Sequence, residues 1–375
     1  MDIQILSTAY PYRGGIAVFN ERLAKEFSSQ GDQIRIKTFT LQYPNFLFPG
    51  KSQFTNLEYG GDVKITRELN SINPFNWVKV GNKIREERPD ILILKYWIPF
   101  MAPCLGTVSR IVRKNNHTKV IVVVDNIIPH EKRVGDKLLS KFFVKSVDGF
   151  VCMSKQVFND LEKFDSKINK INSYHPIYDN FGKSITKKQS ITNLKLNGDY
   201  KHILFFGIIR KYKGLDLLIR AFSKLKHEKI RLIIAGEFYD NQDYYLDLIQ
   251  SLALDDSIIL KNEFIPDDMV VNYFCSCDIV AQPYKSATQS GVTQIAYHFE
   301  KPMLVTDVGG LAEIVKHGVS GYVCSPDVDS VYQSLNNFFK NNRYDEFVYG
   351  VKQEKKRFSW NKLVVDIKKL HKDLY

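Results

Sequence analysis

The chain lacks the run of roughly eighteen apolar residues that a membrane-spanning helix needs. It has only five cysteines, Cys104, Cys152, Cys275, Cys277 and Cys324, with no CxxC pair and no scaffold-like spacing. That argues against a disulfide-stapled secreted domain and fits reduced thiols in the cytosol. The start, MDIQILSTAYPYRGG, opens with an acid and breaks at Pro11, so it makes a poor signal peptide. Neither GxGxxG nor GxxxxGK[ST] occurs, so the nicotinamide and P-loop fingerprints are missing. There is no HExxH and no His/Cys cluster for a metal, and no RNP, zinc-finger or KH pattern for nucleic acid. Internal repeats and low-complexity tracts are absent as well.

What remains is globular in composition, 44% hydrophobic and 25% charged. At 375 residues the chain is long enough for two domains. Its charge is lopsided. Residues 1–190 carry 29 Lys+Arg against 18 Asp+Glu, while residues 191–375 carry 24 against 23. The basic half suggests an anionic partner, and without a nucleic-acid motif an anionic membrane surface is favoured over nucleic acid. A merely soluble basic surface would look the same.

Short β-like runs alternate with helical patterns throughout. IQILST, IRIKTF, VKITREL, ILILKY, KVIVVV, GFVCM and INKINSY make a first series. HILFFG, RLIIAG, SIILK, DIVAQPY, PMLVTD and GYVCS make a second. Residues 176–200 lack a clear period and read as a linker. Two successive βαβ series predict two doubly wound parallel sheets, an α/β architecture whose ligands sit at the carboxyl ends of the strands.

Chemistry-bearing residues cluster at those strand ends. Gly14 and Gly15 open a helix after the first strand, where close backbone approach and the helix dipole favour an anion. A tight turn would explain them too. In FFGIIRKYKGLDLLIRAF the strand ends at Gly207, and Arg210 and Lys213 stand at the mouth of the next helix, suiting a diphosphate. Gly236 and Glu237 follow another strand, where a carboxylate would hold ribose hydroxyls or cap a helix. Gly309 and Gly310 open a third such helix, which carries Glu313. After the fifth strand, Asp125, His130 and Glu131 are candidates for polar contact or proton transfer. Asp327-Val-Asp329 imitates a metal-binding DxD, but Asp327 reads better as a helix cap.

Taken in order, PYRGGIAVFNERLA, RPDILILKYWIPF, FFGIIRKYKGLDLLIRAF, RLIIAGE, KPMLVTDVGGLAEIVKHGVSGYV and FSWNKLV resemble the family 4 glycosyltransferases over essentially the whole chain. The resemblance implies the GT-B fold, two facing Rossmann-like domains. Residues 1–185 would bind the acceptor and 195–355 the nucleotide-sugar, with 356–375 a helix crossing back to the first domain. It further implies a retaining, metal-independent transfer from a nucleotide-diphospho-sugar, without a separate cofactor. Gly14 and Gly15 match the family's donor-phosphate loop, and Lys213 its lysine before glycine. The family's arginine after the strand glycine is Ile208 here, and Arg210 is the candidate replacement.

Two departures stand out. The family's His-Asp pair at the fifth strand is Asp125-Asn126 here, with His130 five residues on. The family's two glutamates, eight positions apart, fall on Thr288 and Ala296 or on Ala287 and Ile295, so no carboxylate is present in either register. The stretch SATQSGVTQ instead offers Thr288, Gln289, Ser290, Gly291 and Gln294 for sugar hydroxyls and the β-phosphate. The loop LQYPNFLFPGKSQFTNLEYGG sets Tyr43, Phe46, Phe48, Phe54 and Tyr59 around Lys51, suiting either lipid headgroups or the packing of a long loop. Together these features predict a sugar transfer onto a lipid-linked or glycan acceptor in cell-surface polysaccharide or glycolipid synthesis. The enzyme would be cytoplasmic and peripheral at the inner membrane face. The competing expectation is a non-catalytic GT-B protein that binds a nucleotide-sugar or scaffolds an assembly.

Overall fold

Runs such as ILILKY and KVIVVV are apolar on both faces, which suits strands covered by helices on both sides of a parallel sheet. The computed structural model describes residues 1–44, 53–55, 58–128, 134–225, 229–287 and 290–375. Among them the chain divides into two units, one of Met1–His175 with Trp360–Tyr375 and one of Pro176–Ser359.

Unit 1 holds β1 (Asp2–Leu6), β2 (Gln33–Leu41), β3 (Lys64–Asn70), β4 (Ile91–Tyr96), β5 (Lys119–Val124), β6 (Gly149–Cys152) and β7 (Lys170–Asn172). They form a parallel sheet in the order β3-β2-β1-β4-β5-β6-β7. Its helices are α1 (Gly15–Ser29), α2 (Pro74–Glu87), α3 (Ala102–Val112), α4 (Asp136–Val144) and α5 (Lys155–Glu162). One face packs α2, α3 and α4 through Val80, Ile84, Leu105, Val108 and Phe143. The other packs α1 through Phe19, Leu23 and Phe27, together with the chain's last helix.

In unit 2 the strands are β8 (Lys201–Phe206), β9 (Ile230–Ala235), β10 (Ile258–Lys261), β11 (Ile279–Gln282), β12 (Met303–Thr306) and β13 (Gly321–Cys324). They pair in parallel as β10-β9-β8-β11-β12-β13. Helices α6 (Lys187–Asn193), α7 (Leu215–Ser223), α8 (Gln242–Ser251), α9 (Asp267–Ser276), α10 (Gly291–His298), α11 (Leu311–Ile314), α12 (Val328–Lys340) and α13 (Tyr344–Glu354) cover this sheet. The final helix, α14 (Trp360–Asp373), lies in unit 1, where Trp360, Leu363, Val364 and Ile367 enter the core beside Phe19. In each sheet the strand order reverses beside the first strand, at β1/β4 and β8/β11, the position at whose carboxyl ends open α/β sheets generally bind their ligands.

The segment 176–200 is more structured than its sequence suggests. It belongs to unit 2, so the units part at 175/176 and 359/360 rather than near 185 and 355. Thr186 caps α6, the Lys187 ammonium lies 2.5 Å from Asp278, and Asn193 donates to Asn272. Polar bonds hold α6, which is why no apolar period betrays it. Asp327 caps α12 by accepting from the Ser330 N–H. Among the described residues no helix is long and apolar enough to cross a membrane.

Candidate donor site and the strand-end residues

Several loops meet at the centre of unit 2's carboxyl edge. After β8 the chain turns at Gly207 (φ 93°), makes one 3-10 turn over Lys211–Lys213, and enters α7 through Gly214 (φ 67°). Gly214 is pressed against the loop after β11, and a Cβ there would lie 1.9 Å from the Pro283 carbonyl oxygen. The Lys285 N–H donates to the Tyr212 carbonyl at 2.7 Å, sewing the two loops together. Only glycine fits both the conformation and the space.

This closure carries Lys213 inward. Its ammonium comes within 3.5 Å of where a Gly207 Cβ would stand, and Val292 of α10 within 3.6 Å of the same point. It also lies 5.7 Å from the centroid of the Tyr284 ring. The Tyr284 hydroxyl pairs with Ser290 Oγ at 3.3 Å, and Ser290 Oγ accepts from the Val292 N–H, capping α10. The lysine, the glycine turn and the first turn of α10 therefore converge. Burial, aided by the neighbouring Arg210 cation, pulls the Lys213 ammonium down to about 8. Arg210 itself is exposed at the loop's mouth, with its guanidinium 5.4 Å from the Tyr239 ring centroid. No acid stands in the first turn of α10. The constellation suits a dianion.

Around it the glycine-opened loops are in place. Gly236 approaches Gly207 so closely that a Cβ would meet the Gly207 carbonyl at 2.2 Å, and Glu237 follows, exposed. Gly309 (φ 52°) and Gly310 precede α11, which carries Glu313 two strands from Lys213. Ser290 caps α10 and Gly291 is its first residue. Thr288 and Gln289 lie outside the described residues. Gln294 is buried in α10, and neither of its amide atoms has a partner among the described residues. Gln282, the last residue of β11, is in the same condition, and sequence reasoning missed it. It also missed Tyr178, whose ring edge would lie 3.0 Å from a Gly291 Cβ. Beside these loops, a cavity of about 450 Å³ is lined by Lys211, Asp216, Asp240, Asn241, Tyr244 and Tyr245.

In unit 1, Gly14 (φ 107°) starts α1 with no side-chain cap and no acid in the first turn, and Gly15 follows, both exposed. Asp125 directly follows β5, and its carboxylate accepts from Lys95 Nζ at 2.7 Å. His130 and Glu131 lie outside the described residues. So do Phe46, Phe48 and Lys51 of the aromatic loop. The described aromatics of that loop pack on their own unit. The Tyr43 hydroxyl accepts from Trp97 Nε1, Tyr59 tilts against Tyr10, and Phe54 lies against Tyr12 under Arg67.

A seven-stranded and a six-stranded parallel α/β unit in one chain, with a glycine-bounded cationic loop in the second, define the GT-B architecture. Anabaena HepE, solved in complex with UDP, shares this fold with a TM-score of 0.74 at 15% identity, over 98% of this chain and all of that one. The family model for glycosyl transferases group 1 matches residues 186–354, and that for glycosyltransferase family 4 matches residues 13–173. The protein belongs to the family 4 glycosyltransferases. An uncharacterized glycosyltransferase of Methanocaldococcus jannaschii is 24% identical over 100% of this chain and 99% of its own length. The N-acetyl-alpha-D-glucosaminyl L-malate synthase of Bacillus anthracis is 22% identical over 86% of this chain and 84% of its own. These similarities favour an enzyme over a non-catalytic scaffold.

Proposed function

We propose that unit 2 binds the diphosphate of a nucleotide-sugar on Lys213, Arg210 and the first turn of α10. The protein would then be a retaining, metal-independent hexosyltransferase. The observation that carries this reading is Lys213, a lysine packed beside Gly207 and Val292 and held at about 8 in the free protein. A buried ammonium with another cation beside it is costly unless an anion arrives.

Departure of a nucleoside diphosphate builds negative charge on its β-phosphate. The Lys213 ammonium, the Arg210 guanidinium and the α10 amides meet that charge where it develops. They supply the electrostatic role that a metal ion fills elsewhere. The acceptor hydroxyl attacks from the face the diphosphate leaves and gives its proton to a phosphate oxygen, so configuration is retained. Gly207, Glu237, Ser290, Gly291 and Glu313 serve as donor contacts in this scheme. Gln289 or Gln294 supplies a neutral contact where relatives use carboxylates. If Ala at both leaves donor affinity unchanged, the turn is structural.

For the acceptor we favour a lipid-linked glycan at an anionic membrane, in polysaccharide or glycolipid synthesis at the cytoplasmic face. Unit 1 supports this with exposed Ile72, Phe75 and Val78 at the start of α2. Val134 and Leu138 are exposed at the start of α4, which also presents Lys137 and Lys141. Apolar side chains at the helix starts and cations beside them fit an anionic bilayer surface.

Two measurements test these readings. Thermal shifts with UDP, GDP, ADP and their sugars should stabilise the protein, by about 2.7 kcal/mol at a hundredfold over the dissociation constant. Lys213→Ala should abolish the shift; a panel in which nothing binds or turns over ends the enzyme reading. Sedimentation with phosphatidylglycerol vesicles should capture the wild type and fail with Phe75→Asp and Leu138→Asp combined; equal capture removes the membrane proposal.

A further inference from the structure

Lys95 and Asp125 are out of keeping with their surroundings. Side chains one and two pleats back along the same face of β4 and β5 are Ile91, Ile93, Ile121 and Val123, all in the apolar core. Lys95 is 2% exposed, yet its ammonium has Asp125 Oδ1 at 2.7 Å and the Phe19 ring centroid at 3.7 Å. Burial pulls the lysine below its ordinary value, and the carboxylate opposes that. The pair is not needed to fix the strands, because β4 and β5 already run in register from Ile91↔Lys119 to Tyr96↔Val124. An apolar pair would hold this place at least as well.

Position gives the pair a purpose. It stands at the carboxyl edge of the two strands beside the reversal of strand order, under Phe19 in the second turn of α1. Asp125 keeps partial access to solvent, with 24% of its side chain exposed, whereas Lys95 is sealed. On β1, Ile3 and Ile5 share the face of Ile91 and Ile93, and Ser7 continues that alternation one residue past the paired Leu6. Ser7 is buried, and its hydroxyl has no partner among the described residues. Three neighbouring strands thus place a hydroxyl, an ammonium and a carboxylate in a row at their carboxyl ends. One of the three is unsatisfied and one is open.

We propose that Lys95 is a positioning residue that fixes Asp125 as an oriented carboxylate accepting a hydrogen bond from a hydroxyl of the sugar substrate. This rests on the transferase reading above. The lysine anchors one carboxylate oxygen and Phe19 covers the ammonium, so Asp125 presents its other oxygen in one direction. A carboxylate is the strongest neutral-pH acceptor for a hydroxyl.

The test compares Lys95→Met, Asp125→Asn and the double variant. Each single change leaves one member of the pair without its partner and should lower the melting temperature. The double variant should melt at or above the wild type, because no charge is left buried. Its turnover should stay down by about tenfold to a hundredfold, the loss of one charge-assisted hydrogen bond. Release of nucleoside diphosphate from UDP-, GDP- and ADP-sugars is followed with water as acceptor and with alkyl glycosides added. A fall in hydrolysis assigns the hydroxyl to the donor sugar; hydrolysis kept with transfer lost assigns it to the acceptor. A double variant that regains both stability and full turnover overturns the proposal while the transferase reading stands. A wild type that neither binds nor cleaves any donor overturns both.

Discussion

Lys213→Met separates a binding lysine from a structural one. Burial and Arg210 bring the ammonium from 10.5 to about 8 in the free protein. Each pKa unit is worth about 1.4 kcal/mol, so the drop corresponds to about 3 kcal/mol, trimmed to about 2 by residual solvent. The folded pKa lies below the unfolded one. The cost of the charged form is therefore in full force below about 8 and fades as pH rises from there toward 10.5. Methionine keeps the stem and removes the charge. At pH 7 the ligand-free variant should melt higher, by roughly 4–8 °C for about 2 kcal/mol in a unit of this size. The same variant should lose its thermal shift with UDP or with whichever nucleoside diphosphate stabilises the wild type. In the wild type that shift should shrink as pH rises through about 8. Calorimetry near pH 8.5 should detect proton uptake on binding, because the diphosphate raises the lysine's pKa. A variant that melts lower and still responds to the nucleotide would refute the argument, since Lys213 would then be holding the fold together rather than waiting for an anion.

Other perturbations probe the frame of the site. Gly214→Ala meets the Pro283 carbonyl and an unsuitable φ, and should cost about 2–4 kcal/mol in urea unfolding while weakening the nucleotide shift. Gln282→Met removes two buried polar atoms that have no partner among the described residues and should raise ligand-free stability by about 1–3 kcal/mol, read from the unfolding midpoint. Trp360→Ala takes away the ring that packs on Phe19 and lies under Arg22, and should destabilise unit 1 by about 3–5 kcal/mol, seen as an earlier transition in calorimetry.

The alternation of apolar runs and helical patterns was enough to foresee both parallel sheets, because strands buried on both faces must be continuously apolar. All thirteen β-like runs correspond to strands among the described residues. Glycines after strands were equally legible, since a sharp turn with positive φ leaves little else to choose, as at Gly207 and Gly214. Helix α6 escaped notice because ion pairs and amide bonds hold it, and those partners lie far away in the chain, at Asp278 and Asn272. SATQSGVTQ marked Ser290, Gly291 and Gln294 as candidate contacts, but it could not show that Gln282 and Gln294 would both be buried without a partner among the described residues. Residues 288 and 289 of that stretch lie outside the described structure.

By itself the sequence determined the α/β class, the strand-end placement of Arg210 and Lys213, and the resemblance that led to the family. These follow from local rules, namely period, turn chemistry and motif spacing. Tertiary structure alone decided that Lys213 is pulled beside Gly207 and α10, that α14 completes the core of unit 1, and that Lys95 meets Asp125. Except for Lys213 and Gly207, which share one loop, those pairings join residues far apart in the chain. Only the closing of parallel strands side by side brings them within bonding distance, and burial then sets what their charges are worth.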